Sequence, residues 1–327
     1  MSITNFPTGI TSFGMPVFGG GLMPSQGKVI HVKPYHGLDG NDGLSRETAI
    51  KTLTKALSLA TANQNDIVLI YAESNTAAST FDMMTVALDW NKDGVHIFGV
   101  CAEDFIGHRA GLRMATSTTT VTDMFTVSAN NCLIVNIQIF QGDYTLASGS
   151  PRALVVSGER NKFVNCQISG AGDLGGSMDV AGARSLAVTG AENLFRHCYI
   201  GLNTVIRGTM TTEVYLTTGA RNVFEDCMID SYTSLSAFKA VTVGASDRFV
   251  LFKNCILNAV QNITSAVAPT GAIASGSVNG SVLLFNTGVF GYADVTTAND
   301  AKTLQLSMSG LAANVVDQGV AKAVVIA

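Results

Sequence analysis

The phrase ALVVSGERNKFVNCQI at residues 153–168 is written again as SLAVTGAENLFRHCYI at residues 185–200 and as VYLTTGARNVFEDCMI at residues 214–229. A looser copy, AVTVGASDRFVLFKNCIL, covers residues 240–257 with three residues inserted after its glycine, and a decayed one covers residues 282–290. Cys166, Cys198, Cys227 and Cys255 each follow a phenylalanine by three positions (Phe163, Phe195, Phe224, Phe252), so successive steps are 32, 29 and 28 residues. VNIQI at residues 135–139 holds the same register one step earlier, with Ile137 in the cysteine slot; one step later Gly288 is read in that slot, 33 residues on. Self-similarity at a fixed period of this size marks a stack of units, none of which can bury a core without its neighbours.

The pattern inside one unit decides what is stacked. Short β-branched or alternating runs, such as residues 154–156, 161–163 and 166–168, are separated by Gly, Asn or Ser, and no ten-residue stretch has a helical period. About thirty residues with three short strands make one turn of a parallel β-helix, each strand pairing with its equivalent one turn away. The phenylalanines, the cysteines and Ile168 are then expected to point inward, identical positions stacking roughly 4.8 Å apart, and thiols suit a cramped interior as small hydrophobes. The position before the cysteine reads Asn136, Asn165, His197, Asp226, Asn254 and Thr287. A polar side chain recurring there predicts a ladder at a corner, satisfying backbone groups left open by the turn.

The wording N-x-F-x-N-C-x-I resembles the right-handed parallel β-helix superfamily of pectate lyases, pectin esterases and phage tailspikes, over roughly residues 95–292. The motif is structural in all of those families, so the resemblance implies a fold and leaves activity to be argued from a site. Upstream, residues 28–33 (KVIHVK) read as a strand and residues 34–45 as a loop containing D-G-N-D-G. Residues 48–61 read as an amphipathic helix with Ile50, Leu53, Ala56, Leu57 and Ala60 on one face and Ser45 or Thr48 as its cap. With the strand expected at residues 66–71, this order resembles the start of right-handed β-helices, where a helix covers the open end of the first turn. Asp39, Asn41 and Asp42 invite comparison with a calcium loop, but the loop is short and lacks the EF-hand glutamate, so Asx turns are expected.

Residues 1–27 combine Gly, Pro and large apolar residues with almost no charge, a composition that cannot fold alone. They read as an arm that docks through Ile3, Phe6, Ile10, Phe13, Val17 and Phe18 on a partner, or that wraps its own solenoid or a sister subunit. Its wording, N-F-P-x-G-I-x-S-F-G-x-P-V, resembles the openings of small phage virion proteins. Further strands are expected at residues 86–90 and 95–100, and residues 112–127 open a Thr-rich turn. The Gly-rich insertion at residues 169–183 is either a working face or a packing loop between subunits. After Gly291 the repeat fades, and residues 292–327 read as a separate β segment for oligomerisation, with strands at residues 303–308 and 321–326 and an apolar end. The divisions are thus an arm (1–27), a strand, loop and capping helix (28–72), the β-helix (73–291) and the carboxy-terminal segment (292–327).

Composition narrows the function. A chain of 327 residues that is 47% hydrophobic and 13% charged can bury a large core and is not a disordered chain. With 20 basic against 24 acidic residues and no basic cluster, nucleic acid is not an expected partner. No run of eighteen apolar residues predicts a membrane span. Six cysteines, four on one repeat position, are expected to be reduced core residues, and no C-x-x-C or Cys/His cluster predicts a metal. Catalysis on this fold needs paired carboxylates, or a calcium cluster with a basic residue. The candidates are Asp173, Asp179, Glu225, Asp226 and Asp230, with Arg184 and Arg207 as cations, and above all His197 with Asp226 on successive turns. Their slot holds asparagine in three other turns, so a turn-stabilising role is the expectation, and a single tryptophan speaks against sugar platforms. Taken with the resemblance, the chain reads as a structural phage virion protein made in the host cytoplasm. It is expected to be a homotrimer that decorates or cements the capsid, binding the major capsid protein or a tail component and needing no cofactor. A tailspike-like polysaccharide lyase or hydrolase, or a fibre domain that holds a host glycan, is the alternative.

Overall fold

The computed structural model describes residues 11–12, 15–16, 27–73, 82–102, 105–107, 110–115, 120–142, 149–172, 178–244, 248–261, 268–275, 281–296 and 303–306. Among these the chain is an all-β parallel solenoid with one short helix, passing in turn through three parallel sheets of ten, eight and seven strands. The ten-stranded sheet, here sheet I, runs from Val29–Val32 through Ile67–Tyr71, His96–Val100, Leu133–Val135, Lys162–Val164, Leu194–Arg196, Asn222–Glu225, Phe249–Lys253 and Ser281–Phe285 to Thr303–Leu306. Sheet II starts at Asp82–Met84 and ends at Gly288–Phe290; sheet III starts at Leu88–Trp90 and ends at Ile273–Ser275. Equivalent repeat residues pair in register, as in Phe163 with Phe195, Phe195 with Phe224, and Phe224 with Phe252.

That register turns sequence columns into interior columns. The four phenylalanine rings stack with centroids 4.8 Å apart and planes within 6°, 8° and 12° of parallel. Beside them Cys166, Cys198, Cys227 and Cys255 are free and buried. Each thiol lies near two backbone carbonyls at the corner, for example Cys255 Sγ at 3.4 Å from the oxygens of both Phe224 and Lys253. In the last repeat the slot is one residue earlier than the glycine suggests: Ile256 pairs with Gly288, which leaves Thr287 opposite Cys255 and Leu284 opposite Phe252. The Thr287 hydroxyl sits 3.1 and 3.3 Å from the Phe252 and Phe285 carbonyls, repeating the thiol contacts, so that step is 32 residues.

Two polar ladders turn the corners. Asn136, Asn165, His197, Asp226, Asn254 and Asn286 all have φ between 48° and 57°, the left-handed region that asparagine tolerates best among residues with a side chain. The sixth member is therefore Asn286, and Thr287 belongs to the core column. A second ladder, at the corner from sheet III into sheet I, is buried. Asn161 Oδ1 accepts from Cys132 N, Asn193 Oδ1 from Asn161 N, and Asn222 Oδ1 from Asn193 N at 2.8–2.9 Å. Their amide nitrogens donate to the carbonyls of Ala129, Gly158 and Gly190. Each side chain thus satisfies one donor and one acceptor that a sharp turn would leave unpaired in the interior.

The helix is shorter than its apolar pattern: α1 spans Leu53–Leu59, with Thr52 as N-cap accepting from Lys55 N. Ser45 and Thr48 instead close a turn with Asp42, and Ile50 bridges Val32 in parallel. Residues 43–50 thereby occupy the outer edge of Val29–Val32: His31 N donates to Gly43 O, and Ile50 N donates to His31 O. Leu53, Ala56 and Leu57 enter the core against the first strands. The first turn is in this way closed on both its edge and its interior. At the other end the ladder outlasts the sequence repeat. Ile273 bridges Thr296, and Thr303–Leu306 pairs with Ser281–Phe285, so the solenoid continues beyond Gly291. The strand expected at residues 321–326 lies outside the described residues, as do Ile3, Phe6, Ile10, Phe13, Val17 and Phe18. Within the arm, Thr11–Ser12 pairs antiparallel with Met15–Pro16.

Candidate functional site

His197 and Asp226 fall where the repeat puts them, on adjacent turns at the corner between sheets I and II, both exposed. Among the described residues they share no hydrogen bond. Asp226 Oδ1 accepts from Asn254 Nδ2 at 3.0 Å, and Asn286 Nδ2 continues the ladder onto Asn254 at 2.9 Å. On the other side Asn165 Nδ2 donates to Asn136 Oδ1 at 3.0 Å. The imidazole of His197 lies instead against the ring of Phe105, centroids 5.2 Å apart. The pair sits at the one interruption of an amide ladder, and nothing holds histidine and carboxylate in proton-transfer contact.

The other acidic candidates are engaged elsewhere. Asp179 accepts from three successive backbone amides, Gly208, Thr209 and Met210, at 2.7–2.9 Å and so pins a surface loop. Glu225 lies between Arg196 and Lys253, its register neighbours in sheet I, and their hydrogen bonds hold its carboxyl below the usual range. Arg184 donates to the carbonyls of Ala181 and Ala183 and lies over the Tyr215 ring. Asp173 lies outside the described residues. Asp39, Asn41 and Asp42 are committed to loop bonds: Asp39 accepts from Lys51 N, Thr52 N and Thr52 Oγ1, Asn41 donates to Ala49 O, and Asp42 accepts from Leu44 N and Thr48 Oγ1. Among the described residues no three His, Cys, Asp or Glu side chains form a metal-holding group.

The densest charged cluster is buried and only half anticipated. Asp230 accepts from Tyr199 Oη, Asn203 Nδ2 and Asn258 Nδ2 at 2.8–2.9 Å. Burial, then the Asp230 carboxylate, pushes the Tyr199 phenol up. Arg207 is wholly buried with Glu213, Nε donating to Oε1 at 3.1 Å, while its Nη atoms donate to the Ala171 and Gly170 carbonyls. Ser185 Oγ donates to the second oxygen of Glu213 at 2.5 Å, and burial raises the Glu213 carboxyl. Glu213 escaped the sequence reading because it stands at the edge of the repeated phrase; its register neighbours are Ser185 and Ala240, and only the change from small residues to glutamate betrays it. A carboxylate with no solvent access cannot meet a polymeric substrate, so this cluster ties turns together.

No family model matches the chain, and no curated protein matches it. Solved structures resemble it at low identity. A rhamnogalacturonan lyase is 13% identical, with a TM-score of 0.53 over 80% of this chain and 68% of the lyase. A pectin methylesterase from Aspergillus niger is 14% identical, with a TM-score of 0.47 over 86% of this chain and 84% of the esterase. A pectate lyase is 11% identical, with a TM-score of 0.47 over 81% and 70%. The likeness is one of fold, the pectate-lyase-like parallel β-helix.

Proposed function

We propose that this chain is a right-handed β-helix serving as a structural protein of a bacteriophage virion, a homotrimer that decorates or cements the capsid and is attached through residues 1–27. The observation that carries the non-enzymatic reading is the commitment of every described acidic candidate. Asp179, Glu225, Asp226 and Asp230 each accept hydrogen bonds that hold a loop, a sheet row, a corner or a buried cluster. The virion assignment is supported by the wording of the arm, whose six large apolar residues call for a surface to cover them. The segment expected at residues 292–327 contributes to the solenoid as far as Leu306, and residues 307–327 supply the contact between subunits in this reading.

Two measurements test it. Purified protein incubated with host capsule or lipopolysaccharide is expected to release neither reducing ends nor unsaturated sugars. Release abolished by His197→Asn or Asp226→Asn would install the polysaccharide-degrading tailspike in place of the structural protein. Deleting residues 2–24 is expected to leave a folded oligomer that no longer joins phage particles. Normal occupancy of the truncated protein on purified particles would overturn the attachment role.

A further inference from the structure

The outer face of sheet II changes character along its length. In the early turns its outward row is Gln138, Gln167 and Tyr199, all buried. Residues 105–107 cross over them: Gly107 N donates to Gln167 Oε1 at 2.7 Å, and the Phe105 ring stands edge-on to Tyr199 at 6.0 Å. In the late turns the same face opens, and around half-buried Asn258, which donates to Asp230, its exposed members are apolar. Ile256, Val260 and Phe290 are 41%, 39% and 50% exposed, and Ile256 pairs with Gly288. A side chain at Gly288 would strike the Phe290 ring, which therefore leans toward the Ile256 row. An apolar patch built from adjacent turns of a sheet is a surface that asks for cover.

We propose that the cover is the chain's own amino-terminal arm, residues 3–18, folded back along the solenoid and seated on the Ile256, Val260 and Phe290 patch of the same molecule. Reach permits it. Gly27 precedes the first strand of sheet I, and the patch follows its eighth and ninth strands, seven to eight turns away or about 34–38 Å at ~4.8 Å per turn. Extended chain spans ~3.3 Å per residue, so Phe18 stands up to about 30 Å from Gly27 and Phe13 up to about 46 Å. Because Ser12 pairs antiparallel with Met15, the chain reverses near residue 13, and it is residues 13–16, up to about 36–46 Å from Gly27, that reach the patch. Chemistry matches too: the arm offers Ile3, Phe6, Ile10, Phe13, Val17 and Phe18 with no charged side chain beside them. The seat is independent of virion attachment, and it makes the arm a stored element that a partner surface would have to win from the solenoid.

The test places a photoreactive benzoylphenylalanine at Phe13 in the full chain, unfolds and refolds ordinary and ¹⁵N-labelled protein together so that any oligomer contains both, and irradiates the dilute product. Cross-links to peptides containing Ile256, Val260 or Phe290, all within one isotopic chain, are expected. Mixed-isotope cross-links would assign the patch to a second copy. Cross-links to other peptides, including residues 307–327, or none at all, would equally overturn the proposal. The double variant Ile256→Asp, Phe290→Asp changes exposed positions only, so its melting temperature should hold while protease cleaves residues 1–26 about tenfold faster, following the population of the released arm. An unchanged cleavage rate would overturn the proposal even if arm deletion still abolished attachment to particles.

Discussion

Cys101 is half-buried, whereas Cys132, Cys166, Cys198, Cys227 and Cys255 are buried. Burial pushes the Cys132 thiol up to about 11 and raises Cys198 as well, so neither burial nor thiolate supply favours reaction. A thiol reagent should label Cys101 first in the native protein and the other five only on denaturation. Mass-mapped labelling of native Cys198 or Cys227 at the rate of Cys101 would contradict the inward column. A second residue-scale expectation concerns Asp82, which accepts from Leu53 N at 2.7 Å and is pushed up to about 6, first by burial and then by Asp39. An acid whose folded value is raised contributes fully below its unfolded value and loses that contribution as pH rises through about 6. Relative to Asp82→Asn, the parent should therefore lose roughly 2–3 kcal/mol between pH 4 and pH 7, read from denaturant melts of both proteins. The columns of phenylalanine and cysteine were legible because one residue type repeats at one register. The buried ladder of Asn161, Asn193 and Asn222 was equally written, two positions before each phenylalanine, but a lone asparagine among turn residues gives no sign of facing inward. The slip at Thr287 has a chemical origin: a hydroxyl makes the thiol's contacts, so the slot kept its function while losing its letter.

At the scale of elements, α1 and the Arg207–Glu213 pair carry the largest expected effects. Leu57→Asp would bury an unpaired charge where the helix meets the first strands and should cost about 3 kcal/mol or more. The loss should appear as earlier melting of the amino-terminal turns in hydrogen exchange, since each turn depends on its neighbour. Glu213→Ala leaves the Arg207 guanidinium buried without its counter-charge and should destabilise by about 3–5 kcal/mol, while Arg207→Met with Glu213→Ala should recover most of it. A double variant no better than the single one would mean that the Gly170 and Ala171 carbonyls, rather than charge pairing, set the need for Arg207. The existence of the helix and its apolar face were legible in the sequence, while its start was not. Ser45, Thr48 and Thr52 are all credible caps, and only the bridge from Ile50 to Val32 decides among them by drawing residues 43–50 into the sheet edge.

For the whole molecule, the repeat made the architecture legible from about Val135 onward, but its fading at Gly291 was a poor guide to where the solenoid ends. Strand pairing needs only backbone, so Thr303–Leu306 joins sheet I with Gln305, and no phenylalanine, paired to Leu284. His197 and Asp226 lie on adjacent turns, as the repeat register requires, while the contact of His197 with Phe105 depends on a crossing segment that no periodicity announces. The three parallel sheets have a mechanical consequence. Their backbone hydrogen bonds run along the long axis, and the described chain starts at one end of it and finishes at the other. Tension applied between Gly27 and Leu306 would load those bonds a turn at a time, as a zip is pulled, instead of shearing a whole sheet at once. Each turn that lets go frees about thirty residues, or about 100 Å of contour length. In optical tweezers the molecule should yield as a train of low, evenly spaced teeth, with any taller tooth falling where Arg207 rivets neighbouring turns together.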